Sequence, residues 1–203
     1  MDLNIESNDI NDYLKSSTII NFDDQSIVFL AEEICKNKVD DVDRIKAVFE
    51  YVRDKIDHSA DVNGSAVTCN ASEVLKFGEG ICYAKSHLLA ALLRYHGIPT
   101  GFCYQRLLLS DDKQYLIIHG LNGVYVKSLD RWIRLDARGN KLGVNSEFSI
   151  EVEKLAFQVD ENQGEEDILI VYKEPDSNVI SALHKYDTVE ELFNNLPCNL
   201  SDN

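Results

Sequence analysis

The first half of the chain repeats apolar residues at the three- and four-residue spacing typical of helices. The clearest stripe lies in Asp40–Ile56, where Ile45, Val48, Phe49 and Val52 share one helical face. Acidic residues at the start of this segment suit the positive end of a helix dipole. The same reasoning predicts three further helices, over Asp24–Asn37, Asn70–Phe77 and from Gly80–Tyr83 to Gly97.

After residue 100 the pattern changes to the shorter period of β-strands. The predicted strands are Phe102–Leu109, Gln114–Ile118, Gly123–Lys127 and Trp132–Leu135. Turn residues at Asp111–Asp112 and at Ser128–Asp130 favour an antiparallel meander.

The remaining residues predict a strand at Ile168–Tyr172 and short helices near Val179–Lys185 and Thr188–Asn195. No repeat or linker divides the chain. We therefore expect one α+β domain spanning residues 1–203, with a core at about 40–140 and an acidic extension, 147–203, packed on it.

Composition and charge narrow the range of functions that the chain could have. The 203 residues are 44% hydrophobic and carry a formal net charge of −15, which is globular rather than disordered composition. Such an acidic chain repels phosphate backbones and anionic lipids, so we expect no nucleic-acid or membrane partner. Residues 44–146 are mildly basic, with 14 Lys and Arg against 10 Asp and Glu. They either surround an anion-stabilising site or lie between solvated acidic faces, and the second interpretation carries more weight.

The cysteines and the chain start predict a compartment. Five cysteines, an odd number with no C-x-x-C pair, indicate reduced thiols rather than disulfides or a zinc site. No apolar run is long enough for a membrane span, and the first residues lack the features of a secretory signal. We expect a cytoplasmic protein without metal or cofactor, and the sequence leaves its oligomeric state open.

Three residues suggest nucleophilic catalysis. Cys82 is predicted at the first turn of a helix, where free N–H groups and the helix dipole stabilise a thiolate. His119 follows at a predicted strand end, and Asp136 ends the next strand but one. Two strands packed on the Cys82 helix could place the imidazole beside the sulfur and the carboxylate behind the imidazole. Taken singly, each residue is better explained as structural: a buried cysteine, a satisfied histidine and a turn aspartate.

The segment Gly78–Pro99 resembles the nucleophile segment of the transglutaminase-like superfamily, with its Gly-x-Cys helix start, Leu-Leu-Arg run and Gly-Ile-Pro exit. His119–Val126 is similar to the histidine strand of that family, and Trp132–Asp136 to its aspartate strand. The resemblance covers about residues 40–140 and is to single-domain members of the bacterial type. It implies a papain-like α+β core in which N-terminal helices, including the nucleophile helix, pack on an antiparallel sheet.

The resemblance also implies roles: Cys82 as nucleophile, His119 as base and acid, and Asp136 as the orienting carboxylate. The expected activity is that of a cysteine protease or amidase, or of a transglutaminase-like acyltransferase, acting on a peptide or protein through an acyl-enzyme. The alternative is an inactive module that uses the same cleft to bind peptides.

Further residues carry two interpretations each. His58 with Asp61 could border the cleft or lie on the surface, and Tyr83 could line the pocket or cap the core. Gln105 and Arg106 could contact substrate or form cross-strand pairs.

Overall fold

The computed structural model describes residues 3–110 and 113–201, and four helices form its first half. They are α1 (Gln25–Cys35), α2 (Asp41–Lys55), α3 (Ala71–Phe77) and α4 (Cys82–Tyr95). Their starts follow the predicted capping chemistry. Asp24 and Asp40 accept backbone N–H groups of the first turns of α1 and α2. Asn70 and Glu73 form a reciprocal capping box on α3, and Gly78 ends that helix at a φ of +69°.

A five-stranded sheet combines four strands from the second half of the chain with one from its start. Its strands are β1 (Asn4–Ile5), β4 (Thr100–Ser110), β5 (Lys113–Val126), β6 (Arg131–Leu135) and β7 (Glu166–Tyr172). Their order in the sheet is β1-β7-β4-β5-β6. Strands β4, β5 and β6 form the predicted antiparallel meander, β7 adds antiparallel to β4, and β1 pairs parallel with β7. A separate parallel pair joins β2 (Asp57–His58) to β3 (Glu79–Gly80).

One prediction within the sheet is wrong. The segments Gln114–Ile118 and Gly123–Lys127 are not two strands, because β5 runs without a break from Lys113 to Val126. The intervening polar and glycine residues are buried rather than turned outward. Asn122, for example, donates its side-chain amide to the carbonyls of Ser86 and Gly101. The predicted turn at Asp111–Asp112 lies outside the described residues.

Helix α4 is the centre of the hydrophobic core. Its apolar side chains are fully buried, including Leu88, Leu89, Leu92 and Leu93. The helix contacts α1, α2 and α3 and also β4 and β5. The α+β class and the packing of the Cys82 helix on a mostly antiparallel sheet are therefore confirmed.

The C-terminal residues complete this core. Helix α5 (Ser177–Lys185) buries Val179 and Leu183, and α6 (Val189–Phe193) buries Leu192, all in the same apolar cluster as α4. The extension also brings β7 into the sheet beside β4. Among the described residues, no helix combines the length and the apolar character that a membrane span requires.

Candidate active site

Cys82 is the first residue of α4 and is half-buried at a cleft. The strand β3 ends two residues before it, and Gly80 in that strand allows close packing. A Cβ atom on Gly80 would lie 3.0 Å from Ala84 Cβ and from Thr68 Oγ1. The sequence therefore leaves the sulfur accessible while the rest of the helix is enclosed.

The other cysteines lack this combination. Cys35, Cys69 and Cys103 are buried, and Cys198 is exposed at the surface. Burial raises the pKa of the Cys69 and Cys103 thiols to about 12, so both stay protonated at neutral pH. Of the five cysteines, only Cys82 lies both at the start of a helix and at this cleft.

His119 and Asp136 form a buried pair beside Cys82. The Nε2 atom of His119 lies 2.8 Å from Asp136 Oδ2, and both residues are at most 4% exposed. Cys82 lines the same cleft as His119, and its interaction with the imidazole raises the pKa of His119. Since Asp136 occupies Nε2, the ring nitrogen left for the sulfur is Nδ1. His119 lies within β5, opposite Gln105 of β4, and not at a strand end as the sequence predicted, because β5 continues past it.

Asp136 is held by backbone N–H groups as well as by the imidazole. Its Oδ1 atom accepts the N–H of Arg138 at 3.1 Å, and its Oδ2 atom accepts that of Ala156 at 3.2 Å. Burial alone would raise the pKa of Asp136, but the charge of His119 and these hydrogen bonds lower it. The carboxylate is thus fixed in position and ionised.

The same neighbours act on the imidazole. Burial alone would lower the pKa of His119, but the interactions with Asp136 and Cys82 raise it to about 10. Such surroundings favour a protonated imidazole beside the Asp136 carboxylate. A thiol, an imidazole and a carboxylate in this order can perform nucleophilic and acid–base chemistry on an acyl group.

The cleft around Cys82 has a volume of about 580 Å³ and is lined by both apolar and charged residues. Leu107, Leu109 and Ile117 line an apolar side, to which Phe193 and Leu196 of the C-terminal segment add. Asp61, Arg138 and Lys141 line a charged side. Asp61 bridges the two cations there, with Oδ1 at 2.9 Å from Arg138 Nη2 and at 2.7 Å from Lys141 Nζ.

Residues outside the sequence motifs complete the site. The Phe157 ring meets the His119 ring edge to face, with centroids 5.0 Å apart and planes at 88°. Phe157 and Ala156 lie in a stretch without regular structure, so no periodicity marked them. The contacts of this stretch to the histidine and the aspartate were missed for that reason.

The structure distinguishes between the two interpretations given above for His58, Asp61, Tyr83, Gln105 and Arg106. His58, Asp61 and Tyr83 line the cleft, and Tyr83 is also buried and donates its hydroxyl to the Ile118 carbonyl. Gln105 instead donates to Asp167 at 3.0 Å, and Arg106 pairs with Glu166 of β7 at 3.1 Å. These last two make cross-strand contacts rather than lining the cleft.

Comparisons with solved structures show a similar fold. The chain is similar to a candidate cysteine protease from Cytophaga hutchinsonii, with a TM-score of 0.53 and 19% identity over 65% of this chain. It spans 43% of that protein, so the likeness concerns less than half of its length.

Two further solved structures are less similar. A candidate protease from Parabacteroides distasonis has a TM-score of 0.40 and 11% identity, over 74% of this chain and 30% of its own. A structure described as a TGase has a TM-score of 0.43 and 16% identity, over 84% of this chain and 50% of its own. No curated protein sequence matches the chain.

A family model matches residues 28–137, more than half of the chain, and includes Cys82, His119 and Asp136. That model describes the transglutaminase-like superfamily. The chain belongs to the transglutaminase-like superfamily.

Proposed function

We propose that the protein is a thiol enzyme that cleaves or transfers acyl groups at amide bonds, with Cys82 as nucleophile. The observation that carries the proposal is the position of His119, which hydrogen bonds to Asp136 through Nε2 and lines the same cleft as Cys82. The family and the fold of the Cytophaga protein support a cysteine protease or an acyltransferase of this superfamily.

The geometry suggests how the reaction proceeds. In the reactive form that we propose, the Cys82 proton lies on His119, and the thiolate forms a bond to the acyl carbon of the substrate. When the C–N bond breaks, the imidazolium gives that proton to the leaving nitrogen, and a thioester remains on Cys82. Water, or an amine in a transferase, then loses a proton to His119, attacks the thioester and releases the thiol. Asp136 keeps the imidazole oriented throughout.

The substrate that we propose is a peptide or protein segment that enters the cleft extended. The apolar lining residues would suit an uncharged side chain of the substrate, and Arg138 and Lys141 would suit a polar or acidic one. All five cysteines are free, which is consistent with the reducing cytoplasm that we propose as the compartment. We propose one domain for the whole chain, since β7 and α5 pack into the same sheet and core as the family-matched residues.

The experiment compares cysteines within one molecule. We expect iodoacetamide at neutral pH to alkylate Cys82 at least tenfold faster than the exposed Cys198, with each site followed by peptide mass spectrometry. Cys82→Ser should abolish the fast phase, and His119→Asn should reduce it to the rate of Cys198. Equal rates at Cys82 and Cys198 in the wild type would contradict the proposal.

A second measurement separates the enzyme from an inactive binding module. Peptide and isopeptide libraries, incubated with wild-type protein with and without an added amine, should yield hydrolysed or amine-linked products. Cys82→Ala should yield neither. Peptide binding that survives Cys82→Ala, with no product from the wild type, would instead favour the binding module.

A further inference from the structure

His58 lies next to the nucleophile through the pairing of β2 with β3. It is opposite Gly80, two residues before Cys82, and the N–H of Ser59 donates to the Gly80 carbonyl at 3.3 Å. The ring lines the same cleft as Cys82 and His119. On another side it meets the Phe193 ring edge to face, with centroids 6.3 Å apart. The backbone therefore fixes His58 at the side of the cleft where the helix start lies.

The imidazole of His58 is enclosed without a hydrogen-bond partner. The residue is 7% exposed, and its Nδ1 atom is buried with no partner among the residues that the structure describes. A buried polar atom left unpaired costs about 1–3 kcal/mol. Most buried polar groups in native proteins avoid this cost, so an exception at a reactive cleft requires an explanation.

The surroundings of His58 hold it neutral. Burial and the positive charges of Arg138, Lys85 and His119 place its pKa well below the usual value, and only Asp61 acts in the opposite direction. A neutral imidazole carries one N–H. Orphaned buried N–H groups are rarer than orphaned acceptors, which favours the proton on Nε2 rather than on the enclosed Nδ1.

The start of α4 supplies a second hydrogen-bond donor beside that of His58. Cys82 is the first helical residue, so its backbone N–H has no partner within the helix. Attack by sulfur on an acyl carbon places a negative charge on the acyl oxygen, and fixed donors aimed at that oxygen stabilise the transition state. The Cys82 N–H and an N–H of His58, which lines the same cleft, would together meet this requirement.

We propose that His58 is a catalytic residue that donates its N–H to the developing oxyanion, together with the backbone N–H of Cys82. The inference rests on the proposed function, because it needs an acyl group attacked by Cys82. His58 gives up no proton and forms no covalent bond; it contributes only a hydrogen bond that strengthens as charge builds on oxygen. An Nε2–H of His58, held at the cleft by the β2–β3 pairing, is preorganised for the reacting group.

The test separates two reactions of the same sulfur. Acylation by p-nitrophenyl acetate passes through an oxyanion, whereas alkylation by iodoacetamide does not. We expect His58→Phe to slow acylation of Cys82 by about 10²-fold while alkylation stays within about twofold, since one oxyanion donor contributes 10²–10³ in rate. His58→Gln, which restores an N–H donor, should recover at least tenfold of the lost acylation rate.

The matched control is His184→Phe, because His184 is an exposed histidine on α5, away from the cleft. It should leave both rates unchanged. An equal fall in acylation and alkylation on His58→Phe would overturn the assignment, and so would unchanged acylation. If the wild type itself shows no selective reaction at Cys82, the proposed function fails, which is a separate result from either of these.

Discussion

Replacing Asp136 by Asn tests the central pair of the site with a change of one atom. In the wild type, the Asp136 carboxylate accepts three N–H groups, from His119 and Ala156 on Oδ2 and from Arg138 on Oδ1. An amide has one oxygen, so its NH2 group must face at least one of these donors. If that group lies at the Oδ2 position, His119 must accept through Nε2 and carry its proton on Nδ1. The imidazole could then no longer take the proton of Cys82.

The expected effect follows from the charge that is lost. Nε2 and Oδ2 are 2.8 Å apart, and the charge centres of the two groups lie somewhat farther apart, at about 4 Å. At an effective dielectric constant of about 20, two unit charges at that separation attract by about 4 kcal/mol. Since 1.36 kcal/mol corresponds to a factor of ten, the imidazolium–thiolate form should become about 10³-fold less populated.

The assay is the rate of Cys82 alkylation by iodoacetamide at pH 7. We expect Asp136→Asn to lower it by 10²- to 10³-fold, while the exposed Cys198 reacts at an unchanged rate in the same sample. One backbone N–H left unpaired costs about 1–3 kcal/mol, so urea unfolding should show a weakened but folded protein. A folded Asp136→Asn variant that alkylates Cys82 within threefold of the wild type would refute the reasoning.

Three further predictions concern the framework of the site. A Cβ at Gly120 would lie 2.7 Å from Tyr83 Cδ1, so Gly120→Ala should lower the urea-derived free energy of unfolding by about 1–3 kcal/mol, and an unchanged value would contradict the packing. Burial lowers the pKa of His87 to about 4. The unfolded chain therefore takes up this proton first, and stability should fall by up to about 3 kcal/mol between pH 6.5 and 4. In His87→Gln that fall should be smaller, and an equal fall would show that other groups cause it. Finally, far-ultraviolet circular dichroism and Trp132 fluorescence should report one coincident urea transition for the whole chain, whereas separate midpoints would indicate two domains.

Local signals in the sequence predicted the helical half of the fold well. The predicted helices Asp40–Ile56 and Asn70–Phe77 begin at the residues that cap α2 and α3, since a cap depends only on residues a few positions apart. The helix start at Cys82 has no side-chain cap and was predicted from the apolar pattern after Gly80. The long strand β5 did not, because Gly120 and Asn122 indicate a break unless the buried partners that they contact are known.

The candidate site was predictable only where it follows a motif. The order of Cys82, His119 and Asp136 could be read from the sequence, and the fold brings the three together. Phe157 and Ala156 could not be found this way, because their contacts to His119 and Asp136 depend on the path of an irregular segment. The unpaired state of His58 is likewise a property of its surroundings in three dimensions.

The C-terminal segment contributes to the cleft although it lies outside the family match. Phe193 and Leu196 form part of the cleft, and the Pro197 carbonyl accepts the N–H of Ile118, the residue before His119. All three lie beyond residue 137, where the family match ends. Substitutions in this tail would therefore change the lining of the cleft without changing any residue of the family match.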